Sequence, residues 1–511
     1  MKAPFENNSA ARPSYIGVRA LLLRGLGIVY LAAFWSLLVQ IDGLAGAEGI
    51  IPAGHLMDFW ADQYETGAAA IRAHPTLFWW WSGSLPLVSA CWIGIALSIT
   101  LIVGVGPRYM LLGLWLAYLS LVTVVQPFLA FQWDLLLLEV GFVAVLFAPA
   151  GVGWRVWRKP VDRVALWALR LVFFRLYFLS GLVKLSSADG SWQALSALDV
   201  HFWTQPLPTW TSVWAHHMPH WIHALSVVVT LLIQIVVPFL IFAPRRFRLW
   251  SLVPVVGLQA LIAATGNYGF FNLLTVVLCL ALLDDQALSR VAGRWIGRFI
   301  QTVPTGRICE RGFGRWTTGM AAFVILLGGI HLHRAISDDE GLADWEQRLV
   351  RTFRPLRLVN SYGLFASMTQ DRIELELEGS RDGESWERYG FHWKPGDVLS
   401  RPGFQQPHMP RLDWQMWFAP LAPPDHGRNE WFFRFAERLL LGSSPVADLL
   451  AQNPFAEAPP QLLRVSVWRY RFSSHAERRE TGAWWQREYL GLWCPLLKLE
   501  SQRIVAYRPE L

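Results

Sequence analysis

The stretch LYFLSGLVKL, residues 176–185, decides how this chain must be interpreted. It has the composition of a buried apolar helix, yet Lys184 stands near its end, and Arg170 and Arg175 lie just upstream in the same apolar run. A charge at the middle of a bilayer costs at least about 2.5–3.5 kcal/mol, so such residues normally face a bundle interior and find partners there. The stretch therefore predicts a helix of a membrane bundle whose polar residues point inward.

The composition of the whole chain supports this interpretation. Of its 511 residues 53% are hydrophobic and only 16% are charged, whereas soluble domains carry about 25% charge. Its 29 tryptophans and 30 phenylalanines fit a protein with aromatic residues at membrane–water interfaces. The chain is predicted to be a polytopic membrane protein without a cleavable signal, because the first apolar run is long enough to span. The net charge of +7 is then explained by basic residues in the loops on one side of the membrane, and no nucleic-acid partner is expected.

Apolar runs of about 17–25 residues can cross a bilayer as helices, because lipid forces every backbone polar group to be satisfied internally. We count nine such runs, at 20–40, 85–103, 109–130, 133–150, 163–186, 221–243, 249–265, 268–284 and 316–333. The connection at 265–268 is short enough to require a tight hairpin. The predicted fold is an α-helical bundle of about nine transmembrane helices, residues 1–334, with interfacial loops at 41–84 and 187–220.

The loops between these runs alternate in charge. Arginines and lysines concentrate in the N-terminus and in the loops at 104–108, 151–162, 244–248 and 285–315, whereas loop 187–220 has none. Because basic loops stay in the cytoplasm, the N-terminus is predicted to be cytoplasmic. Residues 335–511 are then predicted to form an extracytoplasmic domain, on what we term the far side.

This tail has a different sequence pattern. Residues 371–379 (DRIELELEG) alternate apolar and acidic residues, and residues 462–472 alternate again, as half-buried strands do; residues 386–393 are a predicted return strand. Residues 429–442 predict a helix with Asn429 as its N-cap, and a second short helix follows with Pro445 in its first turn. We expect a compact, strand-rich α+β domain.

The cysteines argue against a dithiol oxidoreductase. Cys91 and Cys279 lie within predicted spans, Cys309 on the cytoplasmic side and Cys494 on the far side, and the chain has no CxxC motif. A single far-side cysteine cannot form an intrachain disulfide.

Five polar residues are predicted to lie within the membrane: Asp134, Glu139, Arg170, Arg175 and Tyr177. On a helical projection Arg170 shares a face with Tyr177, and Arg175 points nearly opposite. We expect Arg175 to form a structural ion pair with Glu139 that holds two helices together, and Arg170 to extend to the cytoplasmic surface.

Lys184 shares the face of Arg170 and is the one candidate catalytic residue. It either extends to the far-side surface one turn away or is a buried lysine with a lowered pKa, available as a base or a ligand contact. Both interpretations stay open at this point.

A group of polar residues is predicted to line the far-side mouth of the bundle: Asp199, His201, Gln205, His216, His217, Asn267 and Tyr268. The histidines and Asp199 could form a zinc site, but Pro219 interrupts the helix that would present them. An interfacial shelf with tryptophan anchors is favoured, and no metal or cofactor is predicted. Asn267 and Tyr268 fit either a turn or a ligand contact.

In the tail, residues 407–418 combine Arg411, Asp413, Trp414 and Trp417. An Arg–Asp pair within an aromatic cluster is usually structural, and it is also typical of docking surfaces. We consider these four residues candidates for docking a client protein.

Several long motifs resemble the lipase maturation factor family. They are residues 265–285 (TGNYGFFNLLTVVLCLALLDD), 401–419 (RPGFQQPHMPRLDWQMWFA) and 484–491 (WWQREYLG), together with the region around 182–218, and they follow one another in the order expected for that family. The resemblance implies a membrane protein that helps secreted lipases mature, with the lipid bilayer and lipase-like clients as partners, and it favours a maturation role over an enzyme. The composition favours a bacterial inner membrane, whereas eukaryotic relatives reside in the endoplasmic reticulum.

The membrane core is also distantly similar to vitamin K-dependent gamma-glutamyl carboxylases, whose catalytic lysine corresponds to Lys184. This chain has Val183 where that family has a second lysine, and residues 131–139 show no counterpart of its catalytic histidine. The alternative function is therefore an integral membrane enzyme that uses Lys184 as a base on a quinol or lipid-like molecule. A transporter is a third possibility, disfavoured because no inverted repeat is evident.

Overall fold

A computed structural model of the chain describes residues 14–81, 83–291, 315–337, 343–501 and 503–507. The helices are α1 (Ile16–Leu38), α2 (Ile41–Ala45), α3 (Ala53–Gln63), α4 (Gly67–Ala73), α5 (Ser84–Val103), α6 (Pro107–Val124), α7 (Gln132–Phe147), α8 (Arg163–Leu185), α9 (Ala197–Thr204), α10 (Trp210–His216), α11 (His220–Ile235), α12 (Arg245–Trp250), α13 (Leu252–Thr265), α14 (Phe271–Cys279), α15 (Asp285–Val291), α16 (Arg315–Ser337), α17 (Asp344–Phe353), α18 (Arg411–Met416), α19 (Glu430–Leu440), α20 (Ser444–Ala447) and α21 (His475–Thr481).

Within the described residues, seven helices are long and apolar enough to cross a membrane. They are Ile16–Leu38, Ser84–Val103, Pro107–Val124, Arg163–Leu185, His220–Ile241, Arg245–Thr265 and Arg315–Ile336. The prediction of about nine crossings is not confirmed, because the other two apolar runs form the shorter helices α7 and α14.

The two short helices lie inside the bundle. At 1.5 Å per residue the 16 residues of α7 extend over about 24 Å, less than the hydrocarbon thickness of about 30 Å. Most residues of α7 and α14 are buried. Helices surrounded by protein need not match the lipid thickness, which explains why these two are shorter.

The bundle has two chemically different ends. At one, which we term the basic end, polar contacts join Ser14 with Asp285, Arg19 with Trp157, Arg108 with Ala148 and Arg245 with Asp284. At the other, the tail-facing end, contacts join Ser36 with Met409, Asp134 with Arg411, Lys184 with Leu364 and Asn267 with Gly403. Successive apolar segments, the short ones included, run between these two ends in alternating directions.

The two loops predicted to be interfacial are helical and pack against the tail. Loop 41–84 contains α2, α3 and α4, and loop 187–220 contains α9 and α10. Helix α2 approaches α20 so closely that a Cβ atom on Gly43 would lie 2.2 Å from the Pro445 carbonyl oxygen. The loop and the tail thus share one packed interface.

The tail is built on an antiparallel sheet of six strands: β1 (Arg372–Ser380), β2 (Glu387–Arg388), β3 (Leu462–Phe472), β4 (Trp485–Leu492), β5 (Leu496–Glu500) and β6 (Arg503–Tyr507). The order is β2-β1-β3-β5-β6, and β4 pairs with β3 next to β5. The strands predicted at 371–379 and 462–472 are present. The return strand predicted at 386–393 is only two residues long, because Gly390 pairs instead with Gln452.

Other predictions for the tail hold with small changes. Helix α19 begins after Asn429, whose side-chain amide donates to carbonyls of residues 419–423 instead of capping the helix. Pro445 lies in the first turn of α20. Glu374, one of the acidic residues of the alternating stretch 371–379, is buried between Arg372 and Lys394. Cys91, Cys279 and Cys494 are free and buried, and Cys309 lies outside the described residues.

Candidate functional site

The joint between bundle and tail is centred on a buried ion pair. Arg411, the first residue of α18, donates from its two terminal nitrogens to the Asp134 carboxylate at 2.7 and 2.8 Å, and Tyr118 donates to the same carboxylate at 2.5 Å. The backbone nitrogen of Arg411 donates to Gln40 at 2.7 Å. Asp134 and Arg411 are 0% and 1% exposed, so the first turn of α18 is inserted into the bundle.

The predicted pairing of Arg411 with Asp413 is wrong. The Asp413 carboxylate accepts instead from the backbone nitrogens of Trp393 at 2.7 Å and Lys394 at 3.0 Å. The reason is helix geometry, since residues two apart on α18 point to different sides.

The remaining docking candidates also lie in the joint. Trp414 packs edge-on against Trp133 at 4.9 Å between ring centroids, and Trp417 donates from its indole nitrogen to the Thr204 carbonyl at 2.7 Å. Arg411, Asp413 and Trp414 are buried and Trp417 is half-buried. In this conformation they are interior residues of the joint, and a client could contact the buried ones only if the joint opened.

A second joint is formed by residues 360–365 (NSYGLF), which we term the plug. Arg175 forms an ion pair with Glu139, as expected. The other Glu139 oxygen accepts from the backbone nitrogen of Asn360 at 2.9 Å and from the Tyr362 hydroxyl at 2.6 Å. Gly363 is required for this approach, since a Cβ atom there would lie 2.8 Å from Val183.

Arg170 and Lys184 do not reach the surface. Arg170 is 3% exposed and donates to the Ala281 carbonyl at 2.9 Å near the basic end. Lys184 is 5% exposed and donates to the carbonyls of Ser180 at 3.0 Å and Leu364 at 2.9 Å. The expected extension of Arg170 to the surface is therefore wrong, and Lys184 is a buried lysine.

A cavity of about 130 Å³ lies beside Lys184. Tyr177, predicted on the same helix face, lines it too and accepts from the Gln259 amide at 2.9 Å. His201 forms part of the wall. Burial, together with the nearby Lys184 charge, lowers the pKa of His201 to about 4, so its imidazole is neutral at physiological pH.

The residues predicted at the far-side mouth do not form one site: His201 lines the Lys184 cavity, and the other six lie in two further groups. Asn267 donates to the Gly403 carbonyl at 2.9 Å, and Tyr268 donates to Gln205 at 2.8 Å. Gln205 in turn donates to the Thr265 carbonyl at 2.7 Å. These contacts build the hairpin between α13 and α14 and attach it to the tail.

The remaining histidines of this region do not converge on one point. Asp199 contacts the ring nitrogens of His220 and His223, each at 2.8 Å, whereas His216 and His217 pack on Phe472 and His475 of the tail. Burial and the neighbouring histidines lower the pKa of His216 to about 4. In the part of the chain that the structure describes, no group of three His, Cys, Asp or Glu side chains could hold a metal ion.

A broad groove of about 1000 Å³ lies where the tail meets the interfacial loop. Helix α3 forms one wall, α19 and residues 418–422 form the other, and the turn between α6 and α7 forms the floor. Phe59, Leu421 and Leu441 line it and are 57%, 49% and 42% exposed. The groove is an apolar surface accessible from outside the protein.

Both halves of the chain that meet at the joint match family models. Residues 17–290 match the lipase maturation factor transmembrane domain, and residues 358–495 match the lipase maturation factor C-terminal domain. The chain belongs to the lipase maturation factor family.

Relatives in this family cover nearly the whole chain. Lipase maturation factor 2 of Mus musculus is 35% identical, over 94% of this chain and 83% of its own length. Lipase maturation factor 1 of Homo sapiens is 32% identical, over 95% of this chain and 88% of its own length. No solved structure matches the chain. The comparisons give no support to the alternative of a quinol- or lipid-converting enzyme.

Several residues of this lipase maturation factor family member were not identified from the sequence. Gln234 and Gln259 line the Lys184 cavity. Tyr118 donates a hydrogen bond to the Asp134 carboxylate. Arg372 donates to the carbonyls of Trp203 and Pro206. The two glutamines could have been found from the sequence, because each is a polar residue within an otherwise apolar span. Neither periodicity nor spacing indicated the role of the plug, because its contacts with Lys184 and Glu139 join residues 180 and 221 positions apart in the sequence.

Proposed function

We propose that this protein is a membrane-resident maturation factor that assists the folding or assembly of secreted, lipase-like enzymes. Family membership over both domains supports this proposal, since the relatives are themselves named lipase maturation factors. The groove beside α19 is the observation that carries it at the level of residues, because a maturation factor needs an apolar surface open to its clients.

The rim of the groove is charged. It presents Arg428, Arg434 and Arg438 beside Glu430 and Glu437. Arg434 is paired with both glutamates, while Arg428 and Arg438 form no ion pair among the described residues. An apolar floor with unpaired arginines fits an exposed apolar segment of a partly folded client, flanked by acidic residues.

The proposed orientation places the tail on the extracytoplasmic side, where secreted proteins fold. The arginine-rich loops at the basic end support a cytoplasmic location for that end. An arginine-rich, lysine-poor composition favours a bacterial inner membrane, with the tail in the periplasm.

The experiment is a complementation assay with groove variants. Cells that lack their own lipase maturation factor and secrete a lipase receive this chain or its Leu421→Asp/Leu441→Asp variant. We expect the wild type to restore secreted lipase activity and the variant to lose most of that gain, because two carboxylates make the apolar wall of the groove unfavourable for a client segment.

The matched control is Leu399→Asp. Leu399 is 59% exposed on the same domain and does not line the groove, so its replacement should leave lipase activity unchanged at equal membrane abundance. Full activity of the groove variant would reject the groove as the docking surface, and failure of the wild type would reject the function.

A further inference from the structure

The cavity beside Lys184 has mostly apolar walls and a small set of buried polar groups. It is enclosed by α8, α9, α11, α13, the start of α14 and the plug. Apolar side chains make up most of its surface: Leu176, Leu258, Ile262, Phe271, Leu364 and Phe365. Such a composition, with few convergent polar groups, is typical of a ligand site.

Lys184 supplies an N–H donor without an acidic partner. Its ammonium group uses two of its three N–H groups on the Ser180 and Leu364 carbonyls, and it lies 5.2 Å from the centre of the Trp192 ring. Among the described residues no carboxylate lies within ion-pair distance of it. One donor is therefore available to an acceptor oxygen in the cavity.

Two glutamines supply the opposite chemistry. Among the described residues, the buried side-chain oxygens of Gln234 and Gln259 find no hydrogen-bond partner, and the two residues are only 9% and 5% exposed. If the Gln259 amide were turned over, its nitrogen would be the atom without a partner. A ligand hydroxyl group would satisfy either orientation, because a hydroxyl group can both donate and accept a hydrogen bond. An unsatisfied buried polar atom destabilises a protein by about 1–3 kcal/mol.

The position of Gln234 is fixed by a close helix contact. A Cβ atom on Gly181 would lie 2.6 Å from Ile235 and 3.0 Å from Gln234, so α8 and α11 can approach this closely only because residue 181 is glycine. This contact fixes the backbone and Cβ atom from which the Gln234 side chain extends to the cavity wall.

The cavity adjoins the lipid-facing side of the bundle. Thr230 of α11 and Ile262 of α13 are half-buried and line it, and these two spans bury the smallest share of their length, 22% each. Since one water occupies about 30 Å³, a volume of about 130 Å³ accommodates a polar head group and not a whole lipid. The remainder of a bound molecule would extend between α11 and α13.

We propose that this cavity binds the head group of a single-chain lipid that carries hydroxyl groups, of the monoacylglycerol class. Two hydroxyl groups donate to the oxygens of Gln234 and Gln259, and the ester carbonyl accepts from Lys184. The acyl chain lies between α11 and α13 in the hydrocarbon region. Binding is non-covalent, and the site does not depend on the proposed role in lipase maturation.

The test is native mass spectrometry of the full chain titrated with mono-oleoylglycerol or methyl oleate. We expect one mono-oleoylglycerol per chain and at least about tenfold weaker binding of methyl oleate, which has the same chain and ester but no hydroxyl donors. The Gln234→Leu/Gln259→Leu variant should lose the preference for mono-oleoylglycerol. Gln193→Leu is the matched control, because Gln193 is exposed and donates only to the Leu185 and Ser187 carbonyls.

Three results would overturn the proposal: no bound lipid in the wild type, equal binding of the two ligands, or an unchanged preference in the double variant. The first would mean that ordered water alone satisfies the two amides. Because the two ligands are compared on the wild type, the preference for a lipid with hydroxyl groups is tested even if the double variant does not fold.

Discussion

The Asp134 carboxylate and the Arg411 guanidinium are 277 residues apart in the sequence and form a bidentate ion pair at 2.7 and 2.8 Å. The pair connects an inner helix of the bundle with the first turn of α18. A buried pair adds little net stability compared with apolar residues, but it leaves an unpaired charge wherever the two surfaces are joined differently. We infer that it fixes how the tail sits on the bundle.

Removal of one side chain of this ion pair should therefore destabilise the folded chain strongly. We expect Arg411→Met to destabilise the folded chain by about 3–5 kcal/mol, because Asp134 is left buried without its counter-charge. Thermal unfolding in detergent measures the loss. Arg434→Met is the control, since Arg434 is 55% exposed in its ion pairs, and surface pairs contribute about 0–1 kcal/mol. Equal losses for the two variants would contradict a special role of the joint.

A substitution in the plug removes a single hydrogen bond and leaves the ion pairs intact. Tyr362→Phe removes the hydroxyl that donates to Glu139 at 2.6 Å, and hydrogen bonds to charged groups contribute about 1.5–3 kcal/mol. We expect faster amide exchange across residues 360–365 with little change in the sheet. Tyr489→Phe, at an exposed position of β4, should leave both regions unchanged.

Two glycines in apolar helices should respond in opposite ways to alanine. A Cβ atom on Gly94 would lie 2.4 Å from the Phe34 ring, whereas nothing lies within 4 Å of one on Gly257. Gly94→Ala should lower the unfolding temperature because α1 and α5 must separate. Gly257→Ala should leave it unchanged or raise it, since alanine favours helix by about 1 kcal/mol. A similar response of the two would argue against this packing.

The joint should weaken in acid. His408 contacts Ser36 at 3.0 Å; burial and the charges of Arg411 and His392 lower the pKa of His408 to about 4 from its ordinary 6.5. Because the folded-state pKa is the lower one, this contribution to stability is complete above pH 6.5 and is lost as the pH falls from 6.5 towards 4. After correction for the intrinsic pH dependence of exchange, the protection of the amides in residues 405–411 should fall over that interval. His408→Gln should flatten this loss of protection, and an unchanged profile in that variant would exclude His408 as its source.

Some of this architecture could be predicted from the sequence, and some could not. Periodicity is a local property, so the strands at 371–379 and 462–472 and the long apolar helices were recognisable, as was the Arg175–Glu139 pair from the depths of the two residues in their spans. The partner of Arg411 was not, because Asp134 becomes its neighbour only when the two domains meet. The lengths of α7 and α14 depend on being surrounded by protein, which hydropathy alone does not report.

The side of the membrane on which the tail lies can be tested by cysteine labelling. Cys91, Cys279 and Cys494 are buried, so a Cys309→Ser chain provides a background in which one introduced cysteine reports accessibility. Glu384 lies in an exposed turn of the tail and Arg158 is exposed at the basic end. In intact cells with a permeabilised outer membrane, a membrane-impermeant maleimide should label Glu384→Cys and not Arg158→Cys, and lysis should make both reactive. The reverse pattern would place the groove in the cytoplasm, away from any secreted client.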